Sequence, residues 1–504
     1  MVVARLQAVP RVQRRHDDPR FPNSLVQSMS YAQAKAERTE VVSAGLIGAG
    51  QEKCRPVAAQ RRHLLVHPAF IFAVALALRL ATGAIILRIE GHKTIDEADF
   101  GLEAVGIAQS LASGHGFSAP FQAAGSTAWL TGSTAWLTPL MPAILAADML
   151  VFGLHSRATL IVFVIFNELC SALTIFPMFF AARRIAAGRI SGGRIPGHRI
   201  SGDLSADRIA ALAAWLWVLS PVAGLAACKM IWYTTLAGLL GALLLWATLT
   251  VRDSKKPSPW IGYGLLWGAQ LMTHPSFLVL MPVGLLWLGW GRLSSKQLKL
   301  AALASFTVVL CCVPWTVRNY AVFHHFVPLR SNFGLELWRY NNGGPLGLHP
   351  NRDAEERDAF SSLGEYAYAQ EKQREAVVWI RSHPGRFMRG SAQRVMNFWF
   401  DLAYGLKFVH QGGAWFWKVK LLYICALLVM VLGGLTTIRR RRREHFWLLA
   451  SFPALFPLVY YVTLGRDLYR FPIDPILAVI AAFAVSAWLP VQPPDTGNVD
   501  GLAS

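Results

Sequence analysis

The chain has 504 residues, 54% of them hydrophobic and 15% charged, with a mean hydropathy of +0.37. This is too apolar for an ordinary soluble protein and marks an integral membrane protein. Its 49 Lys and Arg against 29 Asp and Glu give a net charge of +20, yet the cations cluster between apolar runs, where the positive-inside rule puts them, which argues against nucleic acid as a partner.

Residues 1–63 are polar and Arg-rich, with no short apolar core followed by a small-residue cleavage site, so they read as a disordered basic cytoplasmic tail rather than a secretory signal. Gly45 to Gly50 resemble the start of a phosphate-binding loop, but Gln51 and Glu52 stand where Lys and Ser/Thr are needed. Cys170, Cys228, Cys311, Cys312 and Cys425 lie in apolar runs and Cys54 in the tail, a pattern of neither disulfides nor a metal site.

Apolar runs at 64–87, 156–180, 209–227, 233–251, 259–274, 276–291, 299–317, 416–438, 446–464 and 473–489 predict an all-α bundle of about ten transmembrane spans. The expected organisation is a transmembrane core at 64–323 that includes a first outer loop at 88–155. A periplasmic segment at 324–414, C-terminal transmembrane helices at 415–490 and a tail at 491–504 follow. The stretch from Pro139 to Gly153 is short for a span and holds Pro142 and Asp148. Counting it as one would turn the basic segment 183–208 outward, so it is expected as a re-entrant or surface helix. Both termini then face the cytoplasm. Arg79 sits inside the first span, where an unpaired cation costs about 2.5–3.5 kcal/mol, and Glu168 of the next span is its expected partner.

The first outer loop gathers Asp96, Glu97, Asp99 and Glu103 in eight positions. A helix that includes Glu103 puts Ala104, Ile107, Ala108 and Leu111 on one apolar stripe, the pattern of a helix on a membrane surface with its carboxylate turned from lipid. Stacked acids need a cation, a metal or a raised pKa. The same side of the membrane is expected to carry Arg318, Arg330, Arg339, Arg381, Arg386, Arg389, Arg394 and Arg470, a surplus suited to a phosphate or pyrophosphate. Two short repeats, 125–131 copied at 132–138 and a Gly-Arg-Ile-Ser-Gly unit repeated through 188–202, are too small to stack as a solenoid.

The string Glu103-x-x-x-Ile107-Ala-x-Ser-Leu-Ala-x-Gly114-x-Gly116-Phe-Ser-x-Pro-Phe121, then Ser133-Thr-Ala-Trp-Leu-Thr-Pro139-Leu-x-Pro142, resembles the first outer loop of bacterial GT-C glycosyltransferases, those similar to protein O-mannosyltransferases and lipid A aminoarabinose transferases. Pro314-Trp-Thr-Val-Arg318-Asn319-Tyr320, His383-Pro-Gly-Arg386-Phe387 and Tyr469-Arg470-Phe-Pro472-Ile-Asp474-Pro475 follow in the same order, so the resemblance runs over about 64–490. It implies a sugar donor on a polyprenyl phosphate, an inverting transfer to an acceptor hydroxyl on a protein, lipid or glycan, and an essential outer-loop carboxylate. Glu103 matches that carboxylate best, with Asp96, Glu97 and Asp99 as alternatives. The duplicated 125–138 segment departs from the family pattern.

On this reading Glu103 takes the acceptor proton. Arg318 and Arg470, with Arg386 and the neighbouring Tyr469, hold the donor phosphate. A polyprenyl phosphate leaves readily, so no second carboxyl is needed as an acid. No organic cofactor is implied, and the acidic loop is compatible with a divalent cation. The expected location is the bacterial inner membrane with a periplasmic active site. A lipid or solute transporter or flippase is the rival class, recognised by polar sites at the membrane midplane.

Overall fold

The computed structural model describes residues 64–97, 101–121, 132–187, 201–229, 232–290, 294–344, 347–350, 353–402 and 414–486. The chain divides into a unit up to Leu64 and a unit from Leu65, and apart from Leu64 everything described belongs to the second. Asp99, Trp129, the first copy of the 125–138 duplication and nearly all of the 188–202 repeats lie outside the described residues. Regular structure among the described residues is helical, with one isolated antiparallel bridge between Ser118 and Ser133.

The chain opens with α1 (Pro68–Ile89), started by a proline whose missing N–H costs nothing at a helix N-terminus. The short helices α2 (Leu102–Ala112) and α3 (Leu140–Phe152) follow. Helices α4 (Arg157–Leu173) and α5 (Ile175–Ala187) run on as one 31-residue apolar stretch, capped where Ser156 accepts from the Thr159 amide at 3.0 Å. Next come α6 (Ser201–Val218), α7 (Pro221–Lys229), α8 (Thr234–Val251), α9 (Pro257–Thr273) and α10 (Met281–Gly289). The long α11 (Ser295–Phe323) leads to the short apolar α12 (Phe333–Trp338) and then to three helices rich in polar residues: α13 (Ala354–Leu363), α14 (Glu365–Ser382) and α15 (Pro384–Phe400). The last group is α16 (Ala414–Arg441), α17 (Arg443–Leu455), α18 (Leu458–Val462) and α19 (Asp474–Ser486).

Seven described helices or helix pairs are long and apolar enough to cross a membrane: Pro68–Ile89, Arg157–Ala187, Thr234–Val251, Ser295–Phe323, Trp415–Arg441, Arg443–Val462 and Asp467–Val485. An eighth, Ser205–Val218 with Pro221–Cys228, is bent by 51°. Pro221 causes the break: it lacks the amide that would continue the helix. The remaining two of the ten expected spans are the 17-residue α9 and the stretch Pro275–Gly289, broken by the turn at Pro275 and by Pro282. Helix α3, with 13 residues, is likewise short for a crossing.

A large apolar core joins α5, α6, α8, α9, α16 and α19, with α16 lying along α19 and α9 along α11. A second core, under α2, α3 and α12, is built from Ile107, Ala108, Phe121, Trp136, Phe360 and Tyr368 among others. It fixes the polar helices to the bundle and sets the stage on which Glu103 stands.

Candidate active site

Helix α2 does not carry an apolar stripe laid on lipid, as its periodicity suggests. Every residue from Ala104 to Ser110 is buried. The reason is Gly106: a Cβ there would come 2.6 Å from the Ala119 carbonyl oxygen, so the bare backbone lets the 113–121 loop close over the helix. The Ser110 hydroxyl reinforces this by donating to the Gly116 carbonyl at 3.0 Å. Gly101 begins the helix in the left-handed region, at φ 94°, and thereby sets the entry angle of the chain.

Glu103 sits in the first turn with its side chain 24% exposed, and His349 Nε2 lies 3.8 Å from its Oε1. Burial pushes its carboxyl above the usual carboxylate range. Its own backbone amide pulls it back, Glu336 adds to the rise, and the Arg339 and Arg330 cations lower it. Two guanidinium groups and a second carboxylate therefore act on the charge of Glu103, all supplied by residues 330–339 around α12. Arg339 donates to Glu336 at 3.3 and 3.4 Å, and its Nε has no hydrogen-bond partner among the described residues. Arg330 donates from Nε to the Trp136 carbonyl at 2.9 Å and reaches the Tyr233 hydroxyl at 3.4 Å. Its guanidinium also lies 5.4 Å from the Tyr233 ring centre.

Tyr469 completes the cluster. Its ring stacks on Tyr460 with centroids 5.0 Å apart and leans on Trp232 at 5.3 Å. Glu336, Tyr233 and Arg339 are among the groups that act on its hydroxyl. Tyr460 in turn reaches His274 Nε2 at 3.3 Å, and His274 stands edge-on to Tyr233. A carboxyl whose proton affinity burial raises, two cations that act on it and a wall of phenols form an arrangement able to take a proton beside a bound anion.

The other sequence candidates are placed differently. Asp96 is occupied: it accepts from Gln109 Nε2 and lies 2.9 Å from His155 Nδ1. Glu97 accepts from the Thr94 amide at 3.0 Å and closes the turn before α2. Asp99 lies outside the described residues.

Arg318 holds loops together. It donates to the Thr134 carbonyl at 2.6 Å and the Phe117 carbonyl at 2.8 Å, tying the second copy of the duplicated segment to the loop after α2. Glu365 binds the same copy from the other side, accepting from Thr134 Oγ1, from the Ala135 amide at 2.7 Å and from Ser331 at 2.5 Å. Arg386 is exposed on α15. Arg470, 2% exposed, grips Asp474 at 2.7 and 3.3 Å and the Trp399 carbonyl at 2.5 Å, joining the end of α15 to the start of α19. Arg79 and Glu168 are both buried and sense each other's charge, but Arg79 donates to Ser171 at 3.3 Å and the Trp217 carbonyl at 2.8 Å, while Glu168 accepts from Cys228 at 2.5 Å.

Among the described residues no group of three or more His, Cys, Asp or Glu side chains could hold a metal ion.

Three known structures are similar to this chain. One is the archaeal oligosaccharyltransferase AglB from Archaeoglobus fulgidus, in complex with an inhibitory peptide and a dolichol-phosphate. Identity is 12% and TM-score 0.43, over 81% of this chain and 50% of that one, so the present chain spans about half of AglB's length. Another is ArnT from Cupriavidus metallidurans, bound to undecaprenyl phosphate (14% identity, TM-score 0.33, 82% of this chain and 77% of that one) and in the apo state (14%, TM-score 0.32, the same coverage). No protein-family model and no curated protein matches the chain.

Proposed function

We propose that the chain is a membrane glycosyltransferase that moves a sugar from a polyprenyl-phosphate donor to an acceptor hydroxyl, with Glu103 as the base. The observation that carries this reading is the environment of Glu103: a partly accessible carboxylate of raised pKa, with Arg330 and Arg339 among the charges acting on it. The motif resemblance, which spans most of the membrane part, supports the same reaction.

In the proposed reaction the acceptor oxygen attacks the anomeric carbon from the face opposite the lipid phosphate. The new C–O bond forms as the bond from carbon to phosphate oxygen breaks, the electron pair leaves with the phosphate, and the hydroxyl proton passes to Glu103. One displacement inverts the anomeric centre. A carboxylate whose pKa is raised binds that proton more firmly than a surface carboxylate does, which is what a general base needs. Charge accumulates on the departing phosphate, and preorganised guanidinium groups in a partly dry cleft stabilise it as it grows. This part belongs to Arg330 and Arg339 in the proposal, displacing Arg318, Arg386 and Arg470 from the role suggested by the motifs. Tyr469 keeps its place on the donor side of the cleft.

The test is direct. Purified protein in nanodiscs is incubated with synthetic polyprenyl-phosphate sugars and a mixture of peptide, lipid and glycan acceptors. Release of lipid phosphate together with a glycosylated product of inverted configuration is the expected result. Movement of the intact donor across the bilayer without release would instead establish the transporter class.

A further inference from the structure

Glu103 is a long, partly accessible side chain, and a base of that kind works only when its carboxylate is aimed at the reacting hydroxyl. Among the described residues no basic side chain other than His349 comes within 4.0 Å of its oxygens, so Arg330 and Arg339 act on its charge from further away. They do not aim it.

The 347–350 turn holds the His349 ring still. The His349 amide donates to Asp353 Oδ2 at 2.7 Å and its carbonyl accepts from the Asp353 amide at 3.0 Å, which pins both ends of the residue to the one that precedes α13. The ring stands edge-on to Phe121, with centroids 5.0 Å apart, and to Trp136 at 5.8 Å. Phe360 of α13 packs edge-on to the same two rings. His349 is 4% exposed, so it sits in an aromatic box that water hardly enters. A phenyl ring would fill that box without desolvating a polar nitrogen, and the imidazole therefore calls for a reason. The reason lies at its open edge, where Nε2 is 3.8 Å from Glu103 Oε1.

That separation is longer than a hydrogen bond. Contacts of this kind at a reacting centre are often long before substrate binds and tighten when it does. We infer that His349 is the positioning residue of Glu103: with donor and acceptor in place its Nε2–H donates to Oε1, which fixes the carboxylate and leaves Oε2 to take the acceptor's proton. The inference rests on the reading of Glu103 as the base. His349 touches neither sugar nor phosphate in this arrangement, and its effect reaches the reaction through the carboxylate alone.

Steady-state release of polyprenyl phosphate by the full-length protein in nanodiscs supplies the test. His349→Phe keeps a ring in the aromatic box and removes the donor. It should lower kcat about tenfold, the worth of one hydrogen bond to a charged group, with KM for the lipid donor and the melting temperature little changed. His349→Gln, whose side-chain amide reaches out to a similar length, should recover most of that loss. In a Glu103→Gln background His349→Phe should cost nothing further, because no carboxylate is left to orient. An undiminished kcat in His349→Phe would overturn the inference, as would an equal loss with and without the Glu103 carboxylate. A wild-type rate in Glu103→Gln alone would instead remove Glu103 as the base, and this inference with it, so the two failures are distinct. Should His349→Phe fail to fold, His349→Met against His349→Gln decides: the two side chains match in length and only the amide donates, so equal rates would overturn the inference.

Discussion

The carboxylate of Glu103 has a cost that is measurable apart from any activity. Its folded-state pKa lies above the unfolded one, because burial penalises the charged form more than Arg330 and Arg339 compensate. The folded state therefore binds this proton more tightly than the unfolded chain does, and stability is lost as pH rises from the ordinary value near 4.5 through the folded pKa. Glu103→Gln removes the ionisation without changing shape. Its melting temperature should match wild type at pH 4 and exceed it at pH 8, and an unchanged difference across that range would contradict the burial argument. The same shift predicts that turnover falls on acidification with a midpoint above that of a surface carboxylate.

The two cation classes separate by substitution. Arg339→Lys keeps the charge but loses the planar fork, and should raise KM for the lipid donor about tenfold or more with little change in melting temperature, whereas Arg330→Lys should also lower the melting temperature because it gives up the Trp136 carbonyl. Arg318→Lys should do the reverse, because its guanidinium holds the Thr134 and Phe117 carbonyls. Sequence alone distinguishes these arginines poorly. Both classes appear only as a surplus of outer cations, and the motif around Arg318 is the more familiar one. The sequence singles out Glu103 by its spacing to Ile107 and Ala108, and Tyr469 by the Tyr469-Arg470-Phe-Pro472 string, and both keep their place in the proposal. Glu336 and His349 carry no local signal, since only tertiary folding brings α12 and the 347–350 turn to the same carboxylate.

At the scale of the element, α2 depends on closure of the loop above it. Gly106→Ala would drive a methyl to 2.6 Å from the Ala119 carbonyl, a backbone atom with little room to move. The helix must shift, carrying Glu103 with it. Turnover should drop by at least about tenfold, since an ångström of misplacement at a reacting group is enough for such a loss. Wild-type rates in Gly106→Ala would mean that the loop and the carboxylate are uncoupled. The periodicity of α2 correctly gave a helix that includes Glu103 but wrongly gave it a lipid face, because a pattern of apolar residues says that a face is buried without saying against what. The straight span expected at 209–227 is instead broken at Pro221, a residue visible in the sequence whose effect depends on whether neighbours accept the bend.

For the whole molecule, the polar helices must be held against the membrane bundle, and a buried ionic knot does much of this. Lys420 of α16 lies 2.7 Å from both Asp401, after α15, and Asp467, before α19. Burial first, and then the like charge of Asp467, push the Asp401 carboxyl up to about 6, while Lys420 pulls it back. Lys420→Met leaves two buried carboxylates without their cation, at a cost of roughly 3–5 kcal/mol. Thermal unfolding should show that loss at pH 7.5 and a smaller one near pH 5, where Asp401 takes up a proton. A loss equal at both pH values would contradict the assignment. The all-helical membrane architecture was legible from apolar run lengths alone, as was the shortness of α3. The number of crossings was less so, since Pro275–Gly289 is apolar but cut short by proline and the 17-residue α9 falls below the length of a span.

The central claim is that Glu103 acts in the chemical step and not in holding the donor. Single-turnover release of polyprenyl phosphate, measured side by side with donor affinity in wild type and Glu103→Gln, tests it most directly. A rate lowered by about 10²–10⁴, the range of a general base, with donor affinity within a few-fold of wild type, is the predicted result. Unimpaired release from the glutamine variant, or a loss confined to donor affinity, would contradict it.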